Sequence, residues 1–358
     1  MITAKKVSIR NLTKVFDSEN KTIKAVDDVS LDIEPGEFVC LLGPSGCGKT
    51  TTLRMLAGFE IPTSGSIFIG EKDIANLTPD KRNTAMVFQN YALFPHLDVY
   101  DNISYGLKVK KIPKKEIKER VDEILKIMKM EEFIHRMPSQ MSGGQQQRVS
   151  LARALIMNSE VLLFDEPLSN LDAKLRLHMR DEIRKLQKRI GITSIYVTHD
   201  QAEAMALSDK VVIMKDGKII QVGSPKEIYQ KPNSEFIAKF IGRANVLKGI
   251  ITKIVPEKNK VLVEIENIEY EVSSDKKIEI GESVDVVVRP ESIILESTNK
   301  FHSGKITKSV FMGEVHEYEV ELNGKTIEIS LNNPKGKETK DVDEILNFSF
   351  DNLSIHII

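Results

Sequence analysis

No stretch of this sequence limits its fold more than Gly43-Pro44-Ser45-Gly46-Cys47-Gly48-Lys49-Thr50, which fits the pattern G-x-x-x-x-G-K-[ST]. The segment before it, Phe38-Val39-Cys40-Leu41-Leu42, is an unbroken apolar run of strand length, and Thr51 to Ala57 after it has helical character. A strand that enters a glycine loop and leaves as a helix turns backbone N–H groups toward one point, at the positive end of the helix. Phosphate oxygens bind there. In this pattern Lys49 is placed to contact the β- and γ-phosphates of a nucleoside triphosphate, and the Thr50 hydroxyl to ligate Mg²⁺. Gly43, Ser45, Gly46, Cys47, Gly48 and Thr51 complete the expected cradle.

Two further apolar runs end on polar residues. Val161-Leu162-Leu163-Phe164 stops at Asp165 and Glu166, and Ile195-Tyr196-Val197-Thr198 stops at His199. With helical periodicity between them, these runs predict a parallel α/β sheet whose site lies at the C-terminal edge of the strands. The helices are read from Ile117, Val121, Ile124, Leu125 and Met128, and again from Leu175, Met179, Ile183, Leu186 and Ile190. Asp165 can reach the magnesium, and Glu166 can orient or deprotonate an attacking water. Taken alone, the acidic pair could equally face solvent. His199 could be a satisfied core or surface histidine, and Gln89 a polar loop residue.

A second motif, Ser142-Gly143-Gly144-Gln145-Gln146-Gln147-Arg148, follows about ninety residues after the first. Its paired glycines before a predicted helix (146–156) are either a plain helix cap or a second anion-binding N-terminus. The two motifs in this order resemble the ATPase subunit of an ABC transporter. The resemblance implies a P-loop NTPase domain over residues 1–240, with a helical subdomain at about 90–160. It also implies that Ser142, Gly143, Gly144 and Gln145 of one subunit close over ATP held by another.

By the same resemblance His199 becomes a switch contacting the γ-phosphate, and Gln89 a sensor of magnesium and water. Asp172, in Ser169-Asn170-Leu171-Asp172, carries communication across the subunit interface. Two departures are conservative: Met141 stands where Leu is usual, and Asn170 where Ala is usual. Phe16 is either a platform for adenine or a core aromatic on an early strand. Arg153 is expected to fix the signature helix and has no catalytic role.

From Val211 the pattern turns to β. Val211 to Met214 and Ile219-Ile220 flank Asp216-Gly217 as a hairpin, and Ile228 to Ile241 reads as a closing helix interrupted near Pro232. Beyond Gly242, β-branched runs separated by Gly, Asn and Asp predict a mostly-β module over 241–358, a small barrel, and the family resemblance implies that it is of oligonucleotide-binding (TOBE-like) type. Asp98-Val99-Tyr100-Asp101-Asn102-Ile103, Phe240-Ile241-Gly242-Arg243-Ala244-Asn245 and Val288-Arg289-Pro290-Glu291 resemble importers of polyamines, ferric iron, phosphonates, sulfate or maltose. In such proteins this tail domain dimerises subunits or binds regulators.

Bulk properties exclude other classes. A net charge of −1 gives no general attraction to nucleic acid. No segment approaches the roughly 18 apolar residues of a membrane span. With 2 cysteines there is neither a disulfide framework nor a four-thiolate metal site. The expected protein is a peripheral, cytoplasmic-face ATPase working with ATP and Mg²⁺. Its partners would be a second copy of itself with ATP at the interface, integral-membrane permease subunits and, indirectly, an extracellular solute-binding protein. A soluble ABC ATPase of DNA repair or translation, and a mainly regulatory binding module, stand as alternatives.

Overall fold

The structure is a computed structural model that describes residues 4–18, 21–255, 260–274, 276–295, 301–335 and 339–358. The chain divides into two units, Met1–Pro225 and Lys226–Ile358, each with its own hydrophobic core.

The first unit opens with β1 (Val7–Ser18), β2 (Lys21–Ile33) and β3 (Phe38–Leu42), followed by α1 (Lys49–Ala57). Next come β4 (Ser64–Ile69), β5 (Lys72–Asp73) and β6 (Thr84–Val87), and then α2 (Val99–Val109), α3 (Lys114–Met128) and α4 (Gly143–Leu155). The unit ends with β7 (Val161–Asp165), α5 (Ala173–Ile190), β8 (Thr193–Thr198), α6 (Gln201–Leu207), β9 (Lys210–Lys215) and β10 (Lys218–Gly223).

One six-stranded sheet runs β10-β9-β3-β8-β7-β6 and is parallel except where β9 turns back into β10. Every residue of β3 and β8 is buried, because both faces of a parallel sheet are covered. That is why these strands read as unbroken apolar runs rather than as alternating ones.

The hairpin at Asp216-Gly217 forms as expected, with both residues at positive φ (50° and 79°), the two-residue turn that matches strand twist. The five apolar residues predicted for the first helix are the five that α3 buries. On α5 only Met179 and Ile183 of the expected stripe are fully buried, joined by Gln187. Gln187 is tolerated because its amide donates to the Gly36 and Ile192 carbonyls.

A second, antiparallel sheet, β2-β1-β4-β5, was not anticipated. Its strands are polar-rich and bulged, with register shifts between Ile9 and Val15, so no clean period of two survives in the sequence. Its inner residues Val7, Ile9, Leu31 and Ile67 share a core with Leu53 of α1, Leu163 of β7 and Val197 of β8. The phosphate loop is therefore held between the two sheets.

The second unit contains α7 (Pro225–Gln230) and α8 (Glu235–Phe240), where the sequence suggested one interrupted helix. Among the described residues the strands that follow are β11 (Asn245–Val255), β12 (Lys260–Ile265), β13 (Ile268–Ser273), β14 (Ser283–Val288), β15 (Ile293–Leu295), β16 (His302–Phe311), β17 (Val315–Leu322), β18 (Lys325–Asn332), β19 (Ile345–Phe350) and β20 (His356–Ile357). They form two five-stranded antiparallel sheets, β13-β12-β11-β14-β20 and β15-β19-β16-β17-β18. The barrel-type module is thus two sheets closed around one core, in which Val263 and Val286 of the first meet Ile306, Val320 and Phe348 of the second. Burial alternates along β12 and β17, as expected for sheets with one wet face. Arg289 has a local structural use here. Its guanidinium donates to the carbonyls of Tyr229, Ala238 and Arg243 and stacks over the Tyr229 ring, tying α7 and α8 to the barrel.

Candidate functional site

The loop Gly43–Gly48 is shaped by its glycines. At Gly43 an added Cβ would lie 2.2 Å from the Met214 carbonyl oxygen, and at Gly48 (φ 100°) 2.3 Å from that of Ala25. No other residue type fits either position without displacing backbone. Gly48 also caps α1, whose first turn holds no acidic side chain to compete with an anion. Lys49 is only 5% exposed, and its ammonium donates to the carbonyls of Gly43 (2.7 Å) and Pro44 (2.8 Å) and toward Cys47 Sγ (3.6 Å). The cation is thus tethered across the mouth of the loop, where triphosphate oxygens can take over its protons. Cys47 is buried as a small filler between the loop and the hairpin.

Asp165 ends β7 one strand from β8 and two from β3. Burial, then the neighbouring Glu166 charge, raise its pKa; Arg54 and a hydrogen bond with the Thr50 hydroxyl oppose them. Thr50 and Asp165 therefore lie close enough to interact, so that a cation held between them could be shared. The donor set is one carboxylate with one hydroxyl, and among the described residues no group of three or more His, Cys, Asp or Glu could hold a metal. That composition fits Mg²⁺, which retains waters and phosphate oxygens rather than filling a protein cage.

Glu166 has φ 43°, a conformation that costs a side-chain-bearing residue about 1–3 kcal/mol. It is held there because its N–H donates to the Val197 carbonyl (3.1 Å) and its carbonyl accepts from Ser169 N and Oγ. The turn aims the carboxylate at His199, with Oε2 3.1 Å from Nδ1. His199 stands at the end of β8 with its side chain 61% exposed, so it is not a core histidine.

Gln89 follows β6, the neighbour of β7, and is exposed. Its carbonyl accepts from Asn170 Nδ2 (3.0 Å), which ties the two loops together. Phe16 is 39% exposed on the β1–β2 hairpin, beside Ile23 and under the Lys14 ammonium. The core alternative for Phe16 is excluded. The same hairpin carries Ala25, which abuts Gly48, so the ring lies on the strand pair that borders the loop.

The second motif is a helix start. Ser142 Oγ accepts from Gln145 N and Gln145 Oε1 accepts from Ser142 N (2.9 Å), a reciprocal capping box. The helix begins at Gly143, three residues earlier than its apolar pattern indicated, because that cap replaces hydrophobic periodicity as the start signal. Gly143 and Gly144 allow close approach to Leu171 and Leu175, each 3.0 Å from where a Cβ would sit. Asp172 caps α5 by accepting from Leu175 N (3.0 Å). Among the described residues no hydrogen bond or ion pair joins Ser142, Gly144, Gln145 or Asp172 to Gly43–Thr51.

Arg153 does more than the sequence indicated. Its guanidinium donates to the carbonyls of Ala92 (2.7 Å) and Tyr91 (3.0 Å), and Ser150 Oγ also donates to Tyr91 O. Tyr91 and Ala92 are both at positive φ, so this clamp from α4 holds a strained turn just beyond Gln89. The signal was faint: a lone arginine one turn before the end of a helix.

Residues 26–169 match the family described as ABC transporter, and residues 286–358 match the TOBE domain. An Fe(3+) ions import ATP-binding protein of Rhizobium meliloti is 48% identical over 322 residues, covering 90% of this chain and 89% of the relative. A spermidine/putrescine import ATP-binding protein of Borrelia garinii is 46% identical over 317 residues, covering 88% and 89%. Among solved structures, a dimeric ATP-binding cassette in a post-hydrolysis state, bound to ADP and Pi, aligns with TM-score 0.55 and 33% identity. That alignment covers 61% of this chain and 98% of the cassette.

Proposed function

Since this chain belongs to the ABC transporter family of import ATP-binding proteins, and acts as an ATPase coupled to import, we propose that it works as a pair beneath membrane permease subunits. In the pair, Lys49, Thr50 and the loop glycines of one subunit hold the triphosphate, while Ser142, Gly144 and Gln145 of the partner subunit close over it. The capped start of α4 supports this reading, since among the described residues no hydrogen bond or ion pair ties it to its own phosphate loop. So does the dimeric cassette among the similar structures. Asp172 then lies at the seam, and Phe16 stacks on adenine from the β1–β2 hairpin.

Mg²⁺ would be held by Thr50, Asp165 and Gln89, and when bound it would neutralise charge on the transferring phosphate. The chemical step falls to Glu166, whose carboxylate takes the proton of the attacking water. His199, donating Nδ1–H to it, keeps that carboxylate aimed, and as an imidazolium it can also donate Nε2–H to the γ-phosphate. The observation that carries the proposal is the Glu166–His199 contact, made at the ends of the strands that finish at Asp165 and Thr198, on the sheet whose β3 leads into the loop and helix start that carry Lys49 and Thr50.

The transported solute is iron(III) or a polyamine, the two named by relatives of nearly equal identity. The permease would dock on the aromatic surface of Phe94 and Tyr105, whose rings lie 4.5 Å apart beside His96. Among the described residues no helix is long and apolar enough to cross a membrane, so attachment would be through those subunits.

Glu166→Gln tests the mechanism. It should retain ATP binding, lower turnover by about 10²-fold or more, and trap an ATP-bound dimer detectable by size-exclusion chromatography. Wild-type turnover in that variant refutes the role of Glu166.

A further inference from the structure

A buried carboxylate behind His199 has no part in the mechanism above. Glu203 on α6 is 4% exposed, and its Oε2 accepts from Tyr196 Oη (2.9 Å) and from Thr198 Oγ1 (2.8 Å). Both donors lie on β8, two residues apart and therefore on one face of the strand. Thr198 Oγ1 in turn accepts from Asp200 N at 2.9 Å. The hydroxyl thus spans His199, linking the residue before it to the residue after it. Asp200 closes the turn by capping α6, with Oδ1 accepting from Ala202 N and Glu203 N, and its Oδ2 lies 3.7 Å from Arg176 Nη1.

A threonine hydroxyl has one proton and can rotate freely. Here the proton is committed to Glu203, which leaves the oxygen's lone pairs facing Asp200 N. Burial raises the Glu203 pKa, and the two hydroxyl donors work against that shift. A carboxylate is an expensive way to fill this space, since a leucine would pack without desolvation cost.

We propose that Glu203 is a positioning residue for ATP hydrolysis: through Thr198 it fixes the turn 198–200 and thereby aims His199 at Glu166. The proposal rests on the ATPase reading of the site for its kinetic consequence, but its structural consequence can be observed without catalysis.

The test uses the full chain labelled with ¹³C-histidine, whose 7 histidines are few enough to assign. Thr198→Val and Glu203→Ala should both shift the His199 ring signal and lower kcat about 10-fold, with KM for ATP changed less than about 2-fold, since the phosphate loop is untouched. Glu203→Gln, whose carbonyl oxygen can still accept from both hydroxyls, should stay within about 3-fold of wild type. Tyr196→Phe removes a donor that does not touch the turn, and should lower thermal stability while leaving the His199 signal in place. The proposal is overturned if Thr198→Val leaves the His199 signal and kcat unmoved, or if Tyr196→Phe shifts them equally. Should Glu203→Ala not fold, Thr198→Val against Tyr196→Phe decides the matter. Absence of ATP hydrolysis by the wild type would remove the ATPase reading, whereas the His199 signal would still report on the positioning.

Discussion

At the residue scale the site is a set of local costs accepted for chemistry. Asp165 is a carboxylate placed where burial and the Glu166 charge disfavour its ionised form. Its folded-state pKa is raised, so the folded protein binds this proton more tightly than the unfolded chain does. Stability from this group is full below the unfolded value and is lost as pH rises through the folded one. Asp165→Asn should therefore raise the thermal midpoint of the ligand-free protein at pH 7.5 by about 1–3 °C. The gain should vanish near pH 3, and calorimetry at the two pH values checks both signs. The same variant should lose Mg²⁺-dependent ATP binding. A destabilised mutant at neutral pH would mean that the carboxylate is satisfied rather than strained. Glu166 belongs to the same class: a left-handed backbone at a non-glycine residue is kept because Val197 and Ser169 hold it there.

At the element scale α4 shows how one helix start can serve two ends. Two glycines at the first helical positions each lower helix propensity by about 1 kcal/mol relative to alanine. The capping box of Ser142 and Gln145 offsets part of that. Ser142→Ala should cost about 0.5–1 kcal/mol in chemical denaturation, the ordinary value of a cap. ATPase activity should fall by more than 10-fold, beyond the factor of roughly 5 that this much free energy accounts for. An activity loss no larger than the stability loss would make Ser142 a cap and nothing else. The clamp of Arg153 on Tyr91 and Ala92 belongs to this scale too, since it couples the same helix to the turn after Gln89. Arg153→Lys cannot reproduce the two-pronged bond. It should loosen that turn, read as faster proteolysis near residue 92, without weakening nucleotide binding to the loop.

At the scale of the molecule, two units with separate cores predict two thermal transitions. ATP with Mg²⁺ should raise only the transition of the unit that carries the phosphate loop, by about 2.7 kcal/mol at a hundredfold excess over Kd, leaving the other in place. A single transition moved as a whole would show the units to be energetically coupled. The sequence by itself determined the phosphate loop, the strands ending at Asp165 and His199, the helix faces and the β character of the tail. These are written in local pattern: glycines at backbone positions where nothing else fits, unbroken apolar runs in strands buried on both faces, and a period of 3.6 on amphipathic helices. The front sheet escaped because its bulges erase the period of two, and its burial is set by α1, β7 and β8 from far along the chain. The Thr198–Glu203 tie and the hold of Arg153 on the Tyr91 turn were equally hidden. A polar side chain declares no partner in the sequence. Only the packed fold removes water from around it and decides which hydroxyl, carbonyl or carboxylate must satisfy it.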